Sequence, residues 1–227
     1  MTAPTLLIES SLWEKGYENI AGIDEVGRGS LAGPLVAAGV ILPRDFVIPE
    51  GLADSKQVSP QTRSKLAKYL RQTAIGIYIA QISPLRIDNH GIAKATAEAF
   101  RQIARRLIPI PDFCLIDAFH IRYFSQKKQM AVKDGDKICA SIAAASIVAK
   151  VWRDNLMKRL HWQYPLYGFG KHKGYGTARH QEAIKKYGLT SIHRKSYNLD
   201  FLFRAKNSGF QAGDEANLER GRKNHGL

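Results

Sequence analysis

Two short apolar runs, separated by a glycine-rich segment, open the regular pattern of the chain. Residues 19–25 and 35–42 have the length and the apolar content of buried strands, and we predict that they pair as a hairpin. A third apolar run at residues 75–82 predicts another strand. Residues 113–117 predict a buried strand that ends in a carboxylate, and residues 129–133 predict a short edge strand.

Helical periodicity alternates with these predicted strands. Residues 60–72 start with a proline behind Ser59, a favourable cap, and carry apolar residues on one face. Residues 87–107 repeat small and apolar side chains at intervals of four, which predicts one long helix packed on a sheet. Residues 141–160 are alanine-rich and apolar nearly all round, so we predict a buried central helix, and residues 177–187 predict a short surface helix.

The charge of the chain favours a polyanionic partner. The formal net charge is +14 over 227 residues, and residues 151–206 alone hold 12 Lys and Arg against 3 Asp and Glu. Nucleic acid and an acidic membrane both fit this charge. The chain shows no apolar run long enough to span a membrane and no signal peptide, and Cys114 and Cys139 lie in apolar surroundings, as buried thiols do. We therefore expect a cytoplasmic protein without membrane contact.

Acidic side chains mark the ends of the predicted strands. Asp24 and Glu25 are adjacent at the end of the first strand, Asp117 ends a later one, and Asp136 follows the edge strand. Ligands gather outside the carboxyl ends of strands in open α/β sheets, so these acids can point to one place. Oxygen ligands suit Mg²⁺, and adjacent carboxylates repel unless a cation lies between them. A single strand-end aspartate such as Asp117 is more often a turn or cap residue, and we expect Asp134 to be a solvated turn residue.

A glycine-flanked arginine follows the first acid pair. Gly27, Arg28 and Gly29 have the flexibility and charge to hold a phosphate backbone beside a cation, with a plain tight turn as the alternative. Together with the carboxylates, this loop indicates a metal-dependent enzyme that acts on nucleic acid.

Six motifs in order resemble those of the ribonuclease HII family, over about residues 18–200. These motifs are Asp24-Glu25-Val26-Gly27-Arg28-Gly29, Leu31-Ala32-Gly33-Pro34, Asp54-Ser55-Lys56, Ile116-Asp117-Ala118, Gly135-Asp136 ahead of the alanine-rich stretch 141–150, and Lys173-Gly174-Tyr175-Gly176-Thr177. Each motif is weak alone, and the ordered set is highly specific. The chain departs from the family at Ser30, where proline is frequent.

The resemblance implies four metal-coordinating carboxylates, Asp24, Glu25, Asp117 and Asp136, that hold two divalent cations, Mg²⁺ or Mn²⁺. Asp154 is the alternative to Asp136 as the fourth ligand, although its place far along the central helix favours an ordinary ion pair. His120 and His161 have no ligand-like spacing to a second histidine or cysteine, so we predict no zinc site.

The family also implies nucleic-acid-binding residues. Its Gly-Arg-Gly loop reads the 2′-hydroxyl of the ribonucleotide, and its loop tyrosine stacks on the sugar next to the scissile junction. The residues that match here are Gly27, Arg28, Gly29, Ser55, Lys56 and Tyr175, with Lys171 and Lys173 as phosphate contacts. Arg194 also lies near in sequence and is a reasonable phosphate contact, although a solvated side chain is the commoner role of any one such residue. We expect His172, His180 and His193 to be surface residues, because a metal pair needs no histidine proton donor.

The resemblance implies a ribonuclease-H-like α/β fold of three layers with a mixed five-stranded sheet and a small helical C-terminal part. We expect an N-terminal extension at 1–17, a catalytic domain at 18–206 whose basic helical part starts at about 160, and a mobile tail at 207–227. The expected activity is endonucleolytic, on RNA–DNA hybrids and 5′ of ribonucleotides embedded in duplex DNA. It leaves a 3′-hydroxyl and a 5′-phosphate.

Two alternatives to this activity remain. One is a catalytically silent hybrid-binding protein, and the other is a different nuclease of the ribonuclease H fold. We expect a monomer. Phe210 and Gln211 leave open a replication clamp as a partner, although the tail has no clear clamp-binding peptide.

Overall fold

The computed structural model describes residues 3–52, 58–122 and 124–199 and contains one mixed five-stranded sheet. The strands are Ile20–Val26 (β1), Leu35–Ile41 (β2), Gly76–Ile82 (β3), Phe113–Asp117 (β4) and Gln129–Val132 (β5). All five lie where the hydrophobic pattern predicts them. The predicted hairpin of the first two strands is confirmed, because β1 and β2 pair in antiparallel fashion.

The strand order β3-β2-β1-β4-β5 places three carboxyl ends together. β1, β4 and β5 run parallel, whereas β2 and β3 are antiparallel to their neighbours. In the β1–β4 register Ile23 lies opposite Ile116, so the next residues along the two strands, Asp24 and Asp117, end side by side. β5 lies at one edge of the sheet, as predicted.

Eight α-helices connect and cover the strands within the described residues. They are Leu7–Glu14 (α1), Pro60–Thr73 (α2), Pro84–His90 (α3), Ile92–Arg106 (α4), Gly135–Ile138 (α5), Ala140–Gln163 (α6), Phe169–His172 (α7) and Ala178–Tyr187 (α8). The predicted cap of α2 is confirmed, because the Ser59 hydroxyl accepts a hydrogen bond of 3.2 Å from the Thr62 N–H. The central helix α6 is buried over its first ten residues, as its alanine content predicts.

The single long helix predicted over residues 87–107 is wrong in one respect. The region forms two helices, α3 and α4, that meet at Gly91. Gly91 has φ of +77°, a conformation that ends one helix and opens the next in a new direction. The periodicity of small residues runs through the break, so the pattern alone does not show it.

Helices cover both faces of the sheet and make three layers. Phe100 and Ile103 of α4 pack on one face of β1 and β2, in a cluster that includes Ile23. The apolar residues of α2 and α6 pack on the opposite face, where Val36 and Val40 point. The predicted three-layer α/β fold with a mixed sheet is confirmed.

The N-terminal helix α1 belongs to this core. Leu12 and Trp13 pack with Ile20 of β1 and Leu115 of β4 in a third apolar cluster. Both cysteines are buried free thiols, as predicted. No helix within the described parts of the chain is long and apolar enough to cross a membrane. Ser55, Lys56 and the predicted tail at 207–227 lie outside the described residues.

Candidate active site

A pocket opens where the carboxyl ends of β1 and β4 meet the body of α6, and its volume is about 140 Å³. Its lining is Asp24, Glu25, Val26, Asp117, Asp136, Ser146, Lys150 and Tyr175. The structure thus brings together all four predicted carboxylates and the predicted tyrosine, from segments far apart in the chain.

Asp24 and Asp136 are the two buried acids of the four, each with 7% of its surface exposed. The Glu25 N–H donates a hydrogen bond of 2.7 Å to Oδ1 of Asp24. Burial raises the pKa of Asp24 well above its usual range, the neighbouring charges of Glu25 and Asp117 raise it further, and a hydrogen bond with Ser146 opposes them. The ionised form of Asp24 is therefore disfavoured unless a cation lies nearby.

Asp117 and Asp136 are held by the turn that links β5 to α6. The Gly135 N–H donates a hydrogen bond of 2.8 Å to Asp117 Oδ1, and the next residue, Asp136, is buried in the short helix α5. Asp134 is exposed and makes an ion pair of 2.8 Å with Lys137, which confirms the prediction of a solvated turn residue.

Asp154 makes a different contact from Asp136. Its Oδ1 lies 2.8 Å from Lys150 Nζ, one helical turn away, in a largely buried ion pair. Lys150 lines the pocket together with Ser146, and sequence reasoning assigned neither residue to the site. Both lie on the helix face that turns toward β1, a position that the all-round apolar pattern of α6 conceals.

The donor chemistry of the pocket fits divalent cations. All four acids offer oxygen ligands, and their mutual repulsion at Asp24 is relieved by positive charge. Within the described residues, no group of three or more acidic, imidazole or thiol side chains is arranged to hold a metal ion by itself. Mg²⁺ does not require such a cage, because it binds one or two carboxylates and fills its other positions with water and substrate phosphate.

The Gly-Arg-Gly loop rests on a buried arginine from α6. Gly27 has φ of +85°, and a Cβ on it would lie 2.1 Å from Arg153 Nε. Arg153 is fully buried and donates hydrogen bonds to the carbonyls of Pro34, Ala32 and Lys173 and to the Ser30 hydroxyl. Ser30, the departure from the family pattern, therefore has a partner of its own, at 2.7 Å from Arg153 Nη2.

A second buried arginine closes the loop from the other side. Arg194 donates hydrogen bonds of 2.7 Å to the carbonyls of Gly27 and Arg28, and another to that of Gly33. Its surface is fully buried. The expectation that Arg194 contacts phosphate is therefore wrong, because the loop carbonyls occupy its guanidinium. Gly29 is the exposed residue of the loop. Arg28 is partly buried, and its guanidinium lies 4.6 Å from the Phe119 ring centroid.

The loop that carries Tyr175 is hydrogen-bonded to the Gly-Arg-Gly segment. The Leu31 and Ala32 N–H groups both donate to the Gly174 carbonyl, at 2.8 and 3.2 Å. The Arg153 guanidinium also lies 5.5 Å from the centroid of the Tyr175 ring. The two loops that the family resemblance assigns to substrate therefore form one rigid unit.

The two predicted lysines lie on this unit but do not line the pocket. Lys171 is exposed, whereas Lys173 is partly buried and its ammonium donates to the Gly170 and Lys171 carbonyls. Burial lowers the pKa of Lys173. The prediction that His180 and His193 are surface residues is wrong, because 0% and 1% of their surfaces are exposed. Single-sequence reasoning missed this because their buried partners come from other segments.

Comparisons with known proteins identify the family of the chain. A family model for ribonuclease HII matches residues 21–200. The ribonuclease HII of Acetivibrio thermocellus is 46% identical over 196 residues, which cover 86% of this chain and 76% of that protein. That of Alkaliphilus oremlandii is 44% identical over 200 residues, which cover 86% of this chain and 97% of the relative.

Solved structures show the same fold. The ribonuclease H2 of Pyrococcus horikoshii OT3 superposes with a TM-score of 0.67 at 26% identity, over 82% of this chain and 100% of that chain. The ribonuclease HII in a complex with PCNA from Archaeoglobus fulgidus gives a TM-score of 0.68 at 27% identity, over 80% and 96% of the two chains. The chain therefore belongs to the ribonuclease HII family and is a type 2 ribonuclease H, an endonuclease that cleaves RNA strands.

Proposed function

We propose that the pocket at the ends of β1 and β4 is the catalytic centre, with Asp24, Glu25, Asp117 and Asp136 holding two divalent cations, Mg²⁺ or Mn²⁺. The observation that carries the proposal is that these four acids and Tyr175 line one pocket. When bound, two such ions supply a water activated for attack and neutralise charge on the leaving oxygen.

The substrate proposed is an RNA–DNA hybrid, or a DNA duplex that contains embedded ribonucleotides. Water attacks the phosphorus on the 5′ side of a ribonucleotide, and the bond from phosphorus to the 3′-oxygen of the preceding nucleotide breaks. The products are a 3′-hydroxyl and a 5′-phosphate. The residues of the chain orient the strand, and the hydrogen bond of Ser146 with Asp24 favours the ionised carboxylate against the burial and the neighbouring acids that raise its pKa.

Selection of the ribonucleotide is assigned to the rigid unit beside the pocket. Gly29 is exposed, and a Cβ on it would meet no described atom within 4 Å, so packing in the protein does not require glycine there. Glycine at position 29 is instead explained by the close approach of a substrate sugar to the main chain, which a Cβ would prevent. Tyr175 lines the pocket from the adjoining loop and is placed to stack on the neighbouring sugar.

The wider basic surface supplies affinity for the backbone of the duplex. The net charge of +14 favours binding to phosphates at any sequence, and Lys171 is one exposed cation beside the site. Lys173, whose ammonium is bonded within its own loop, serves chiefly to shape that loop. Ser55 and Lys56 remain proposed strand contacts on the family resemblance alone.

The archaeal relative solved with PCNA raises a replication clamp as a protein partner. Phe210 and Gln211, the residues that leave this open, lie outside the described residues. Titration of the full chain and of a chain ending at residue 206 with the clamp of the same organism tests it. Binding by the full chain alone supports a clamp contact through residues 207–227, and equal binding or none contradicts it.

Cleavage of a duplex with one embedded ribonucleotide, in Mg²⁺ and in EDTA, tests the function. The proposal predicts one cut on the 5′ side of the ribonucleotide in Mg²⁺ and none in EDTA. A silent binding protein retains the duplex without a cut, and another nuclease of this fold cuts an all-DNA duplex as well. Either of these results contradicts the proposal.

The fourth ligand is tested by comparing Asp136→Asn with Asp154→Asn across a Mg²⁺ titration. Asp136→Asn should shift the Mg²⁺ dependence of cleavage to higher concentration, because it removes a ligand. Asp154→Asn removes the partner of Lys150 and should mainly lower the melting temperature. A Mg²⁺ shift in Asp154→Asn alone reverses the assignment.

A further inference from the structure

A group of three imidazoles lies beside the Tyr175 loop, outside the metal pocket. His180 and His193 are fully buried, and the partly buried His172 stacks on His180 with ring centroids 4.5 Å apart and planes at 17°. Aromatic rings of Tyr167 and Phe169 pack around them. The proposed chemistry of the pocket uses none of these rings, although their hydrogen bonds end on residues that shape the site.

The hydrogen bonds of His193 fix its tautomer. The Thr190 backbone N–H points at His193 Nδ1, at 2.9 Å, and a backbone N–H can only donate. The Thr190 hydroxyl lies 2.8 Å from the same Nδ1 and can donate to it as well, so His193 Nδ1 accepts and carries no proton. A neutral ring then has its single proton on Nε2, which lies 3.1 Å from Nε2 of His180.

The tautomer of His180 follows from that of His193. Two Nε2 atoms in hydrogen-bond contact share one proton, and His193 supplies it, so His180 Nε2 accepts. The proton of His180 is then on Nδ1, which donates to the Tyr175 carbonyl at 2.9 Å. The donors and acceptors agree along the whole chain, from the Thr190 N–H through both rings to the main chain of Tyr175.

His172 supports the same loop independently. The Gly174 N–H donates to its Nδ1 at 3.2 Å, so its proton is on Nε2, which donates to the Tyr167 carbonyl at 2.7 Å. The Tyr175 N–H in turn donates to the His172 carbonyl at 3.0 Å. The backbone of Tyr175 is thus held on both sides by histidine residues.

We propose that His193 and His180 are positioning residues for the reaction, a one-directional relay of neutral imidazoles that fixes the main chain of Tyr175. The relay sets how well the enzyme cleaves at a single embedded ribonucleotide. The inference rests on the proposed contact of Tyr175 with substrate.

The surroundings of the relay keep it neutral. Burial lowers the pKa of His180 and of His193 to about 4, and each ring is further disfavoured as a cation by another imidazole. Arg179 and Lys173 face His172, where their positive charge acts in the same direction. A proton added to His180 would set two N–H groups against each other between the rings, so the neutral state and the relay geometry require one another.

Nitrogen-15 NMR of the histidine side chains in the full chain at pH 7 tests the relay without any activity measurement. The result expected is a neutral Nδ1–H tautomer for His180 and neutral Nε2–H tautomers for His193 and His172. An Nε2–H tautomer or an imidazolium at His180 overturns the relay. The assignment uses His180→Asn and His193→Asn spectra as references.

Two substitutions of His180 separate positioning from packing. Asparagine keeps an N–H donor near the place of Nδ1 and so retains the bond to the Tyr175 carbonyl, whereas glutamine keeps a contact toward His193 and loses it. His180→Gln should lower kcat/KM at a single ribonucleotide about tenfold, the worth of about one hydrogen bond, and His180→Asn by less than about threefold. Equal losses in both overturn the proposal.

A double-mutant cycle with Tyr175→Ala shows whether the relay acts through Tyr175. If it does, His180→Gln should change kcat/KM by less than about twofold in the Tyr175→Ala background, and full additivity overturns the proposal. Melting temperatures of all variants establish that they are folded. Unchanged cleavage by Tyr175→Ala itself would contradict both the proposed substrate contact and the effect of the relay on cleavage. The NMR measurement tests the histidine tautomers independently of that result.

Discussion

The two glycines that flank Arg28 are required for different physical reasons. Gly27 has a positive φ, and the buried Arg153 guanidinium fills the space where a Cβ would lie. Gly29 does not have a positive φ, and the space beside it is open within the described structure. The first glycine therefore serves the fold, whereas the second has no such reason in the described structure, and we propose that it serves contact with the substrate.

Alanine at each position separates these two roles. Gly27→Ala should lower the free energy of unfolding by about 2 kcal/mol or more, because it adds backbone strain and displaces Arg153. Gly29→Ala should change stability by less than about 0.5 kcal/mol, as open surface positions do, and still reduce cleavage at a single ribonucleotide. Urea unfolding and kcat/KM are the two measurements. Normal cleavage by a well-folded Gly29→Ala protein would remove the loop from substrate recognition.

Single residues also show where sequence reasoning stops. The meeting of the four carboxylates in one pocket was predictable because strand ends and a family pattern both mark them. The burial of Arg194 and His193 was not, because a basic residue in a polar segment has the same local pattern whether it faces solvent or a set of loop carbonyls. Only the fold brings Gly27 and Gly33 to Arg194.

At the scale of elements, α6 depends on a carboxylate from α1 at its first turn. Its N-cap residue, Cys139, makes no side-chain cap bond within the described chain. Glu9 Oε1 accepts instead from the Ser141 N–H at 2.9 Å and from the Ser141 hydroxyl at 2.7 Å. Burial raises the pKa of Glu9, whose other oxygen has no hydrogen-bond partner in the described structure. A distant helix thus caps the one that carries Ser146 and Lys150.

Substitution of Glu9 tests this cap. Glu9→Gln retains an acceptor and removes a buried charge, so it should change the free energy of unfolding by less than about 1 kcal/mol. Glu9→Ala leaves the Ser141 N–H buried without its acceptor and should cost about 1–3 kcal/mol. Chemical denaturation of both variants measures the difference. Equal stability of the two would show that the cap contributes nothing.

The elements themselves were largely predictable, since all five strands and most helices follow the periodicity of apolar residues. The break at Gly91 was not, because small residues continue on one face through both α3 and α4. The sheet order also needs the fold, since the sequence does not say that β1 lies between β2 and β4. That order is what makes Asp24 and Asp117 neighbours.

For the whole molecule, the buried imidazoles link stability to pH. The pKa values of His180 and His193 are lowered to about 4 from an ordinary 6.5, so the unfolded chain binds protons more tightly than the folded one between these values. The two rings make their whole contribution to the free energy of unfolding above pH 6.5, and that contribution decreases as the pH is lowered toward 4. The loss is on the order of 3 kcal/mol for each ring.

Denaturation in EDTA from pH 7 to pH 4.5 measures this linkage. The wild-type profile minus that of a His180→Asn, His193→Asn protein isolates the two rings from Glu9 and Asp24, whose raised pKa values act in the opposite sense. The difference should decrease as pH falls below 6.5. A difference that is constant with pH would mean that the rings are not held neutral.

We propose that carboxylates from β1, β4 and α5 together form one metal-dependent catalytic centre. Single-turnover cleavage of a duplex with one ribonucleotide, in saturating Mg²⁺, tests it most directly in Asp24→Asn. Loss of an outer hydrogen-bond partner at a metal site costs 10- to 100-fold, so loss of this ligand should slow cleavage by more than about 100-fold while duplex binding is retained. A cleavage rate within about twofold of the wild-type rate would mean that no metal ligand had been lost, and it would contradict the proposed catalytic centre.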